Sequence, residues 1–454
     1  MSEILDEEEL LTLRLCIDSK WTSKEKGEDD SVSAGNVSSV DSKISRLLEA
    51  RDKVFGEGCV DIPRYHEESK NVRLVGLLFE AATAVDIHDL SSAIDTLQEI
   101  YMSSSLISDP IQRVVAYFAD ALATRLFPPR SRFYGSMDKI CATQEDEFSA
   151  FMEFYRVLPF YQFAHFTANQ EIIEAFEEEA VINGGRIHVI DFDASYGFQW
   201  PSLIQSFSDM ATTTTSRTIS LTITGYGRNV EELRVTKERL ESFANSCANL
   251  SFKFKGILTG SSFTSIDVEA NSTLVVNLPF YLQTLSSSQE TKDTLASVYS
   301  MNPSLVVLVE KEGNQRTRSF LPNFMELLYF YTAIFDSLHE HLPLESIERF
   351  NIEKNYLGKK IKLEIGQGHI EETFEHDKSW KETMKGFGFE GKKMSSRSLS
   401  QAKLLLKIKS PCTMKGDGAN CGFAVFKRDE GHEIALTWRD RALVSISCWR
   451  RTSW

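Results

Sequence analysis

Residues 186–208 read RIHVIDFDASYGFQWPSLIQSFS, and this stretch decides the fold class. It begins with a short apolar, β-branched run, which is typical of a strand buried on both faces. A small polar loop follows. Pro201 then stands at the start of a segment with apolar residues at helical spacing, where proline is well tolerated. Strand, tight loop and helix in this order predict the opening unit of a nucleotide-binding type of α/β sheet.

The segments on either side of this unit differ in their periodicity. Between residues 72 and 180 apolar residues recur three and four apart, which predicts amphipathic helices, the last of them with Thr167 as its N-cap. Downstream, strand-like runs alternate with amphipathic stretches, and three more strand-like runs near the carboxyl end resemble hairpins added at a sheet edge. The predicted fold is therefore an α/β, Rossmann-type doubly wound sheet with an N-terminal helical cap and a β-rich C-terminal region. The expected parallel strands are 186–193, 218–225, 250–256, 272–280 and 304–310.

The charge of the chain is acidic but uneven. Its 454 residues carry a formal net charge of −15, which argues against a protein that coats nucleic acid with its whole surface. Residues 351–454, however, contain 20 Lys and Arg against 13 Asp and Glu. This basic end is either a solvated surface of mixed charge or a contact for an acidic partner or a phosphate backbone.

Cysteine usage and hydropathy indicate a reducing compartment, the cytosol or the nucleus. The seven cysteines are scattered, without a CxxC pair or a Cys/His cluster of zinc spacing, so no metal is expected. Charges interrupt every apolar run well short of about 18 residues, so we expect no membrane span.

Residues 1–70 form the segment least suited to a folded core. They are acidic and rich in Ser, Gly and charge, and we expect them to be largely disordered. Residues 4–17 have the pattern of a short acidic, leucine-bearing helix. This stretch is either a docking peptide or a frayed terminus.

The loop after the first predicted strand lacks two features of a cofactor site. A pyrophosphate or an adenosine needs glycines at this corner, but Ala194, Ser195 and Tyr196 would crowd it. The end of the second strand, within residues 222–227, also lacks the acid that would hold ribose hydroxyls. We therefore expect no cofactor and no catalytic residues, and an S-adenosylmethionine-dependent methyltransferase or another small-molecule enzyme is the least favoured function.

Asp191, Asp193 and His188 are the chemically interesting side chains of this strand. Two carboxylates one residue apart could perform acid–base chemistry. Carboxylates at a strand end more often accept loop N–H groups or cap the next helix, and a histidine inside a strand is more often a satisfied core residue. We favour the structural role for all three.

The same residues carry a family resemblance. The sequence IHVID, followed by QWP at 199–201, resembles the VHIID motif of the GRAS family of plant transcriptional regulators, which includes SCARECROW-like and DELLA-type proteins. The residues at the motif positions are Ile187, His188, Val189, Ile190 and Asp191. The resemblance extends over about residues 71–450. The sequence IDFD…QWPSLIQS around the loop after the first strand is similar to that of family members near the nodulation and arbuscule regulators.

Two later motifs match in order. Residues similar to the family's PFYRE motif are Pro303, Phe330, Tyr331, Arg349 and Glu353, and residues similar to its SAW motif are Trp380, Trp438, Ser447, Cys448 and Trp449. The resemblance implies a GRAS domain over 71–454 behind the N-terminal extension. Its parts are the cap with the first leucine-rich region (71–180), the VHIID region (181–225), the second leucine-rich region (226–300), the PFYRE region (301–365) and the SAW region (366–454).

The resemblance implies a methyltransferase-like core whose small-molecule site has been repurposed. The implied function is that of a nuclear regulator that forms homo- or heterodimers with GRAS proteins and is recruited by DNA-binding transcription factors, in developmental or symbiotic signalling. Sequence-specific DNA binding through the basic C-terminal residues is the alternative.

An LxxLL pattern lies in the first leucine-rich region. Leu74, Leu77 and Leu78 fall on one helical face. Such a stripe either fills the cap's own core or lies in a groove of a partner. In the family context neither use is favoured over the other.

Overall fold

The computed structural model describes residues 34–56, 67–127, 143–194, 196–215, 218–260, 266–285, 287–312, 319–366, 379–409 and 422–452. The chain divides into two compact units. The helical unit comprises Met1–Phe154 and Phe320–His369, and the sheet unit comprises Tyr155–Ser319 and Ile370–Trp454.

The described helices follow the predicted periodicity closely. They are α1 Ala34–Phe55, α2 Glu67–Asp86, α3 Leu90–Ser103, α4 Pro110–Leu126, α5 Gln144–Val157, α6 Phe160–Glu179, α7 Trp200–Met210, α8 Val230–Ala244, α9 Ser288–Ser300, α10 Phe320–His341, α11 Ile347–Asn351, α12 Gly358–Gly366, α13 Trp380–Gly386 and α14 Ser396–Lys409. Two π-helical turns, Ala211–Thr215 and Ile352–Leu357, extend α7 and join α11 to α12.

The strands form one mixed sheet. They are β1 Arg186–Asp191, β2 Ile219–Gly227, β3 Leu250–Leu258, β4 Thr273–Pro279, β5 Leu305–Lys311, β6 Phe389–Lys392, β7 Phe423–Arg428, β8 Glu433–Trp438 and β9 Arg441–Arg451. Their order is β3-β2-β1-β4-β5-β9-β8-β7, and β6 also pairs with β9. The first five strands are parallel, and the carboxyl-terminal strands are antiparallel. The predicted α/β class and the added C-terminal hairpins are confirmed.

The helical unit packs around α4, which is buried along nearly its whole length. The Phe118 ring lies edge-on to Phe324 and Tyr331 of α10, with centroids 5.4 and 5.9 Å apart. At Gly358, the start of α12, a Cβ atom would lie 2.8 Å from the Tyr117 ring. Helices distant in sequence therefore meet on α4 with little room for larger side chains.

Helix α1 corrects one prediction. Residues 1–33 lie outside the described residues, but Ala34–Phe55 is a helix inside the segment expected to be disordered. Ile44, Leu47 and Val54 recur on one face and are buried. Arg51 in the same helix forms a buried ion pair with Asp120 of α4. The expectation of disorder was based on the composition of residues 1–70 as a whole, in which this narrow apolar stripe does not stand out.

The compact units cut across the motif boundaries. Helix α6, which the sequence analysis placed in the cap region 71–180, belongs to the sheet unit, whereas α10 to α12 of the PFYRE region belong to the helical unit. Helix α6 also begins at Phe160, so Thr167 lies buried inside the helix and is not its N-cap. The apolar stripe extends upstream of Thr167, so the helix begins earlier than the preference of threonine for N-cap positions indicated.

Candidate functional site

The candidate site lies where β1 ends. Its neighbours β2 and β4 come later in the chain, so the strand order reverses at this point, and open α/β sheets bind ligands at such reversals. Asp191 is in register with Gly225 of β2 and with Asn277 of β4. The side chain that the sequence singled out therefore stands at the topological switch point.

A buried polar network surrounds the Asp191 carboxyl group. Trp200 Nε1 donates to its Oδ2 atom at 3.2 Å, and Asn277 Nδ2 donates to its Oδ1 atom at 3.1 Å. Asn277 Nδ2 also donates to Gln199 Oε1 at 3.0 Å, and Gln199 Nε2 donates to Asn169 Oδ1 at 3.1 Å. All five side chains are buried. The network joins β1, β4, α6 and the start of α7, which is the structural role that we favoured.

Burial changes the titration of Asp191. Burial away from water raises the pKa of this carboxyl to about 8, and the neighbouring Asp193 carboxylate raises it further. The hydrogen bonds from Asn277 and Trp200 lower the pKa but do not offset this rise. The ordinary value is 3.8. The folded chain thus holds a proton that the unfolded chain has already released, and the stability due to this group falls as pH rises toward 8.

We expect the Asp191→Asn variant to lose less of its free energy of unfolding than the wild type as pH rises. From about pH 6.5 to pH 8.5 the wild type should lose roughly 2 kcal/mol relative to the variant. In this window His188 is neutral, because burial lowers its pKa to about 4. Urea unfolding at a series of pH values measures the difference. Asp193→Asn is the matched control, which should keep the decline but move it to lower pH; equal slopes for wild type and Asp191→Asn would contradict the assignment.

The corner beside this network is packed with the chain's own side chains. A Cβ atom at Gly225 would lie 2.6 Å from Ala194 Cβ, and one at Gly227 would lie 2.6 Å from Leu233 Cδ2. The Ala194 N–H donates to the Tyr226 carbonyl at 2.9 Å, so the loop after β1 is bonded directly to the end of β2. Ala194 is buried against Gly225, and Tyr196 is half-buried; Ser195 lies outside the described residues.

His188 is a fully satisfied core residue. Its Nε2 atom lies 2.8 Å from Thr224 Oγ1, and its Nδ1 atom accepts the Glu269 N–H at 3.2 Å. Thr222 Oγ1 donates to the Glu269 carboxylate at 2.7 Å and fixes that residue beside the ring. Both ring nitrogens are therefore occupied. Of the other motif residues, Ile187, Val189 and Ile190 are fully buried in β1.

In the helical unit, the PFYRE residues Arg349 and Glu353 meet in a buried ion pair. Arg349 Nη1 donates to Glu353 Oε2 at 2.7 Å, and Arg113 Nε donates to Glu353 Oε1 at 3.0 Å. The desolvated carboxylate is stabilised by two guanidinium groups from α4 and α11. Phe330 and Tyr331 are buried in α10, while Pro303 is buried in the sheet unit and does not join them.

The SAW residues lie in the sheet unit at the antiparallel strands. Trp449 and Cys448 are buried in β9, opposite Val306 and Val307 of β5, and Trp449 Nε1 donates to Ser447 Oγ at 2.9 Å. Trp438 packs on Phe423 across β7 and β8. Trp380 is half-buried against the cluster that contains Trp449. This motif is built into the core of the sheet unit.

The LxxLL leucines are divided by burial. Leu74 and Leu78 are inside the helical unit with 1% and 0% exposure, whereas Leu77 is only partly buried. The pattern therefore serves the core at two of its three positions, and of the three leucines only Leu77 keeps part of its side chain exposed.

Sequence reasoning missed several partners of these residues. Asn277, Gln199 and Asn169 complete the Asp191 network, and Asn277 could have been found as a polar residue inside the apolar run TLVVNLP. A second group was also missed. Glu171 of α6 is fully buried and accepts from Lys392 Nζ at 2.7 Å, the Ser395 N–H at 3.1 Å and Ser398 Oγ at 2.7 Å. These hydrogen bonds attach this part of the SAW region to α6.

Neither a metal centre nor a membrane helix is found in the parts of the chain that the structure describes. Within those ranges the His, Cys, Asp and Glu side chains form no group of three or more suited to an ion. Among the described helices, none has the length and apolar character needed to cross a bilayer.

Comparison with known proteins places these features in context. The GRAS domain family matches residues 74–450. The chain is 30% identical to Scarecrow-like protein 18 of Arabidopsis thaliana, over 82% of this chain and 90% of that protein. It is 30% identical to Protein NODULATION SIGNALING PATHWAY 2 of Medicago truncatula, over 85% and 78%. The crystal structure of SCL7 of Oryza sativa superposes with a TM-score of 0.66 at 25% identity, over 83% of this chain and 99% of that one.

Proposed function

Because the chain belongs to the GRAS domain family, we propose that it regulates transcription in the plant nucleus through contacts with other proteins and not through catalysis. Regulation of transcription in plant development is what the family and its SCARECROW and DELLA relatives indicate. The finer proposal is a scaffold that pairs with GRAS proteins and is recruited by DNA-binding transcription factors.

One observation carries the proposal against catalysis. At the switch point, Ala194 packs closely on Gly225, Leu233 packs closely on Gly227, and the Ala194 N–H donates to the Tyr226 carbonyl. Asp191 accepts hydrogen bonds from Trp200 and Asn277, both of them buried side chains. Side chains packed at this corner support a function that does not depend on a bound adenosine. Isothermal titration with S-adenosylmethionine tests this point, and saturable heat at micromolar concentration would overturn it.

Partner contacts are proposed to use the edge of the buried stripe of α2, where Leu77 lies. Leu77 is partly buried on the same face as the core residues Leu74 and Leu78, so part of its side chain is available while the helix stays anchored. Burial of a leucine against a partner contributes about 1.5–3 kcal/mol. This surface is proposed to support homo- or heterodimers.

We expect Leu77→Asp to weaken self-association at least about tenfold, because burying an unpaired carboxylate is costly. Sedimentation velocity over a concentration series measures the effect. Val72→Asp is the matched control, since Val72 lies on the same helix with 75% exposure. Circular dichroism should show an unchanged fold for both. A folded Leu77→Asp chain that associates like the wild type would remove α2 from the proposal.

Direct DNA binding by the basic C-terminal residues is the alternative. Several of these cations are already used inside the sheet unit: Arg397 binds Glu174 and Glu177, Lys392 binds Glu171, and Arg450 binds Glu178. A guanidinium paired with carboxylates has fewer donors for phosphate. This observation favours the protein-contact function, and salt-dependent retention on bare duplex would favour DNA binding.

A further inference from the structure

Arg239 of α8, in the sheet unit, is a half-buried cation with unused hydrogen-bond donors. Its Nε and Nη2 atoms are buried, and among the described residues neither has a hydrogen-bond partner. Arg234, on the exposed side of the same helix, pairs with Glu231 and Glu238. Burial lowers the pKa of the Arg239 guanidinium, because water is removed from its charge. A buried charge without a counter-ion is costly, so an anion at this position would relieve that cost.

The two unused donors lie on one edge of the guanidinium. The Nε and Nη2 N–H groups point in the same direction, and this planar pair matches two oxygens of a carboxylate or a phosphate. The loop after β1 lies beside this edge. Gly197 in that loop has a φ of +66°, and a Cβ atom there would lie 3.4 Å from Arg239 Nη2. The donors therefore lie next to the loop at the switch point, where α/β sheets bind ligands.

Aromatic rings provide a flat surface beside the guanidinium. The Arg239 Cζ atom lies 5.1 Å from the centroid of the Phe198 ring. Phe198 in turn contacts Tyr155 and Tyr196, with ring centroids 5.2 and 6.2 Å apart. All three rings are half-buried, so part of each ring can contact a ligand. A guanidinium edge beside accessible rings is the chemistry that recognises an oxyanion on a flat, apolar body.

We propose that Arg239 and the rings of Phe198, Tyr155 and Tyr196 form a binding site for a small aromatic carboxylate. The two carboxylate oxygens accept from Nε and Nη2, and the ring of the ligand packs on the protein rings. The ligand enters as the backbone at Gly197 shifts away from the guanidinium. A carboxylate is favoured over a phosphate dianion, because one guanidinium balances one negative charge. The inference goes beyond the proposed function, since it requires neither adenosine nor a reaction.

Isothermal titration of the full chain with benzoate tests the site. We expect saturable binding with a Kd below about 1 mM. Benzamide keeps the ring without the charge, and acetate keeps the charge without the ring, so each should bind at least about tenfold more weakly. Phenyl phosphate should also bind more weakly than benzoate. No saturable heat with benzoate, or benzamide or phenyl phosphate binding as tightly as benzoate, overturns the inference.

Two variants of Arg239 locate the binding. Arg239→Gln removes the charge and Arg239→Lys removes the two-donor edge, so each should weaken benzoate binding at least about tenfold. Arg239→Gln also removes an unpaired buried charge, so it should fold like the wild type, which circular dichroism checks. Arg234→Gln is the matched control on the exposed side of α8 and should bind benzoate like the wild type.

Benzoate binding that survives both Arg239 substitutions, or that Arg234→Gln weakens equally, overturns the assignment of the site. These outcomes are separate from the titration with S-adenosylmethionine. A chain that binds neither compound loses the Arg239 site and keeps the proposed function, whereas saturable heat with S-adenosylmethionine overturns the proposed function whatever the result with benzoate.

Discussion

Glu353→Ala should destabilise the helical unit by about 3–5 kcal/mol. The carboxylate is fully buried between Arg113 and Arg349, so its removal leaves two guanidinium groups desolvated without an anion. Arg349 also donates to the Leu344 carbonyl at 2.7 Å, a bond too weak to balance the charge. Urea unfolding monitored by circular dichroism measures the change. We thus expect Glu353 of the PFYRE motif to contribute mainly to the stability of the fold and not to partner binding.

The control for this prediction is Glu345→Ala. Glu345 is exposed just before α11, and its loss should change stability by less than about 0.5 kcal/mol. A triple variant with Arg113→Met, Arg349→Met and Glu353→Leu should recover much of the loss, because well-packed apolar residues can replace a buried ion cluster. A Glu353→Ala chain as stable as the wild type would show that the pair contributes nothing.

Trp449→Ala should have a similar effect on the sheet unit, about 3–5 kcal/mol or failure to accumulate as soluble protein. The indole has 4% exposure and packs in one cluster with Val306, Met384 and Phe389. Strand β9 pairs with both β5 and β6, so the cavity would lie where parallel and antiparallel parts of the sheet join.

Phe426→Ala is the matched control for the SAW tryptophan. Phe426 lies in β7 with 46% exposure, and its truncation should cost less than about 1 kcal/mol. Thermal unfolding of the three chains compares them. A Trp449→Ala chain that is soluble, equally stable and defective only in partner capture would make the tail an interaction surface instead of core.

The SAW strands and the α/β core were predictable because their signals are local. The runs around Val306 and Ile446 are short, apolar and β-branched, which is typical of strands buried on both faces. Helix α1 was missed for the opposite reason: its stripe of Ile44, Leu47 and Val54 is narrow and lies among polar residues. Its stability depends on packing and on the Arg51–Asp120 pair, neither of which is visible locally.

In the candidate site, too, the features with local sequence signals were predictable and those that depend on tertiary packing were not. The glycine-poor corner and the carboxylate at the strand end could be read in sequence order, and so could the family motifs. That Asn277 donates to Asp191 could not, since the two residues are 86 positions apart and meet only through the pairing of β1 with β4. The contrast between buried Leu74 and partly exposed Leu77 likewise depends on which helices cover α2.

By itself, the amino-acid sequence determined the class of the fold, the order of the strands and the family, because side-chain periodicity and motif order are properties of neighbouring residues. The tertiary structure alone decided which charges meet. Arg113 and Glu353 are 240 residues apart, and no local pattern links them. Their pairing follows from tertiary packing that brings the π-helical turn Ile352–Leu357 to α4, where an unpaired buried charge would be too costly to keep.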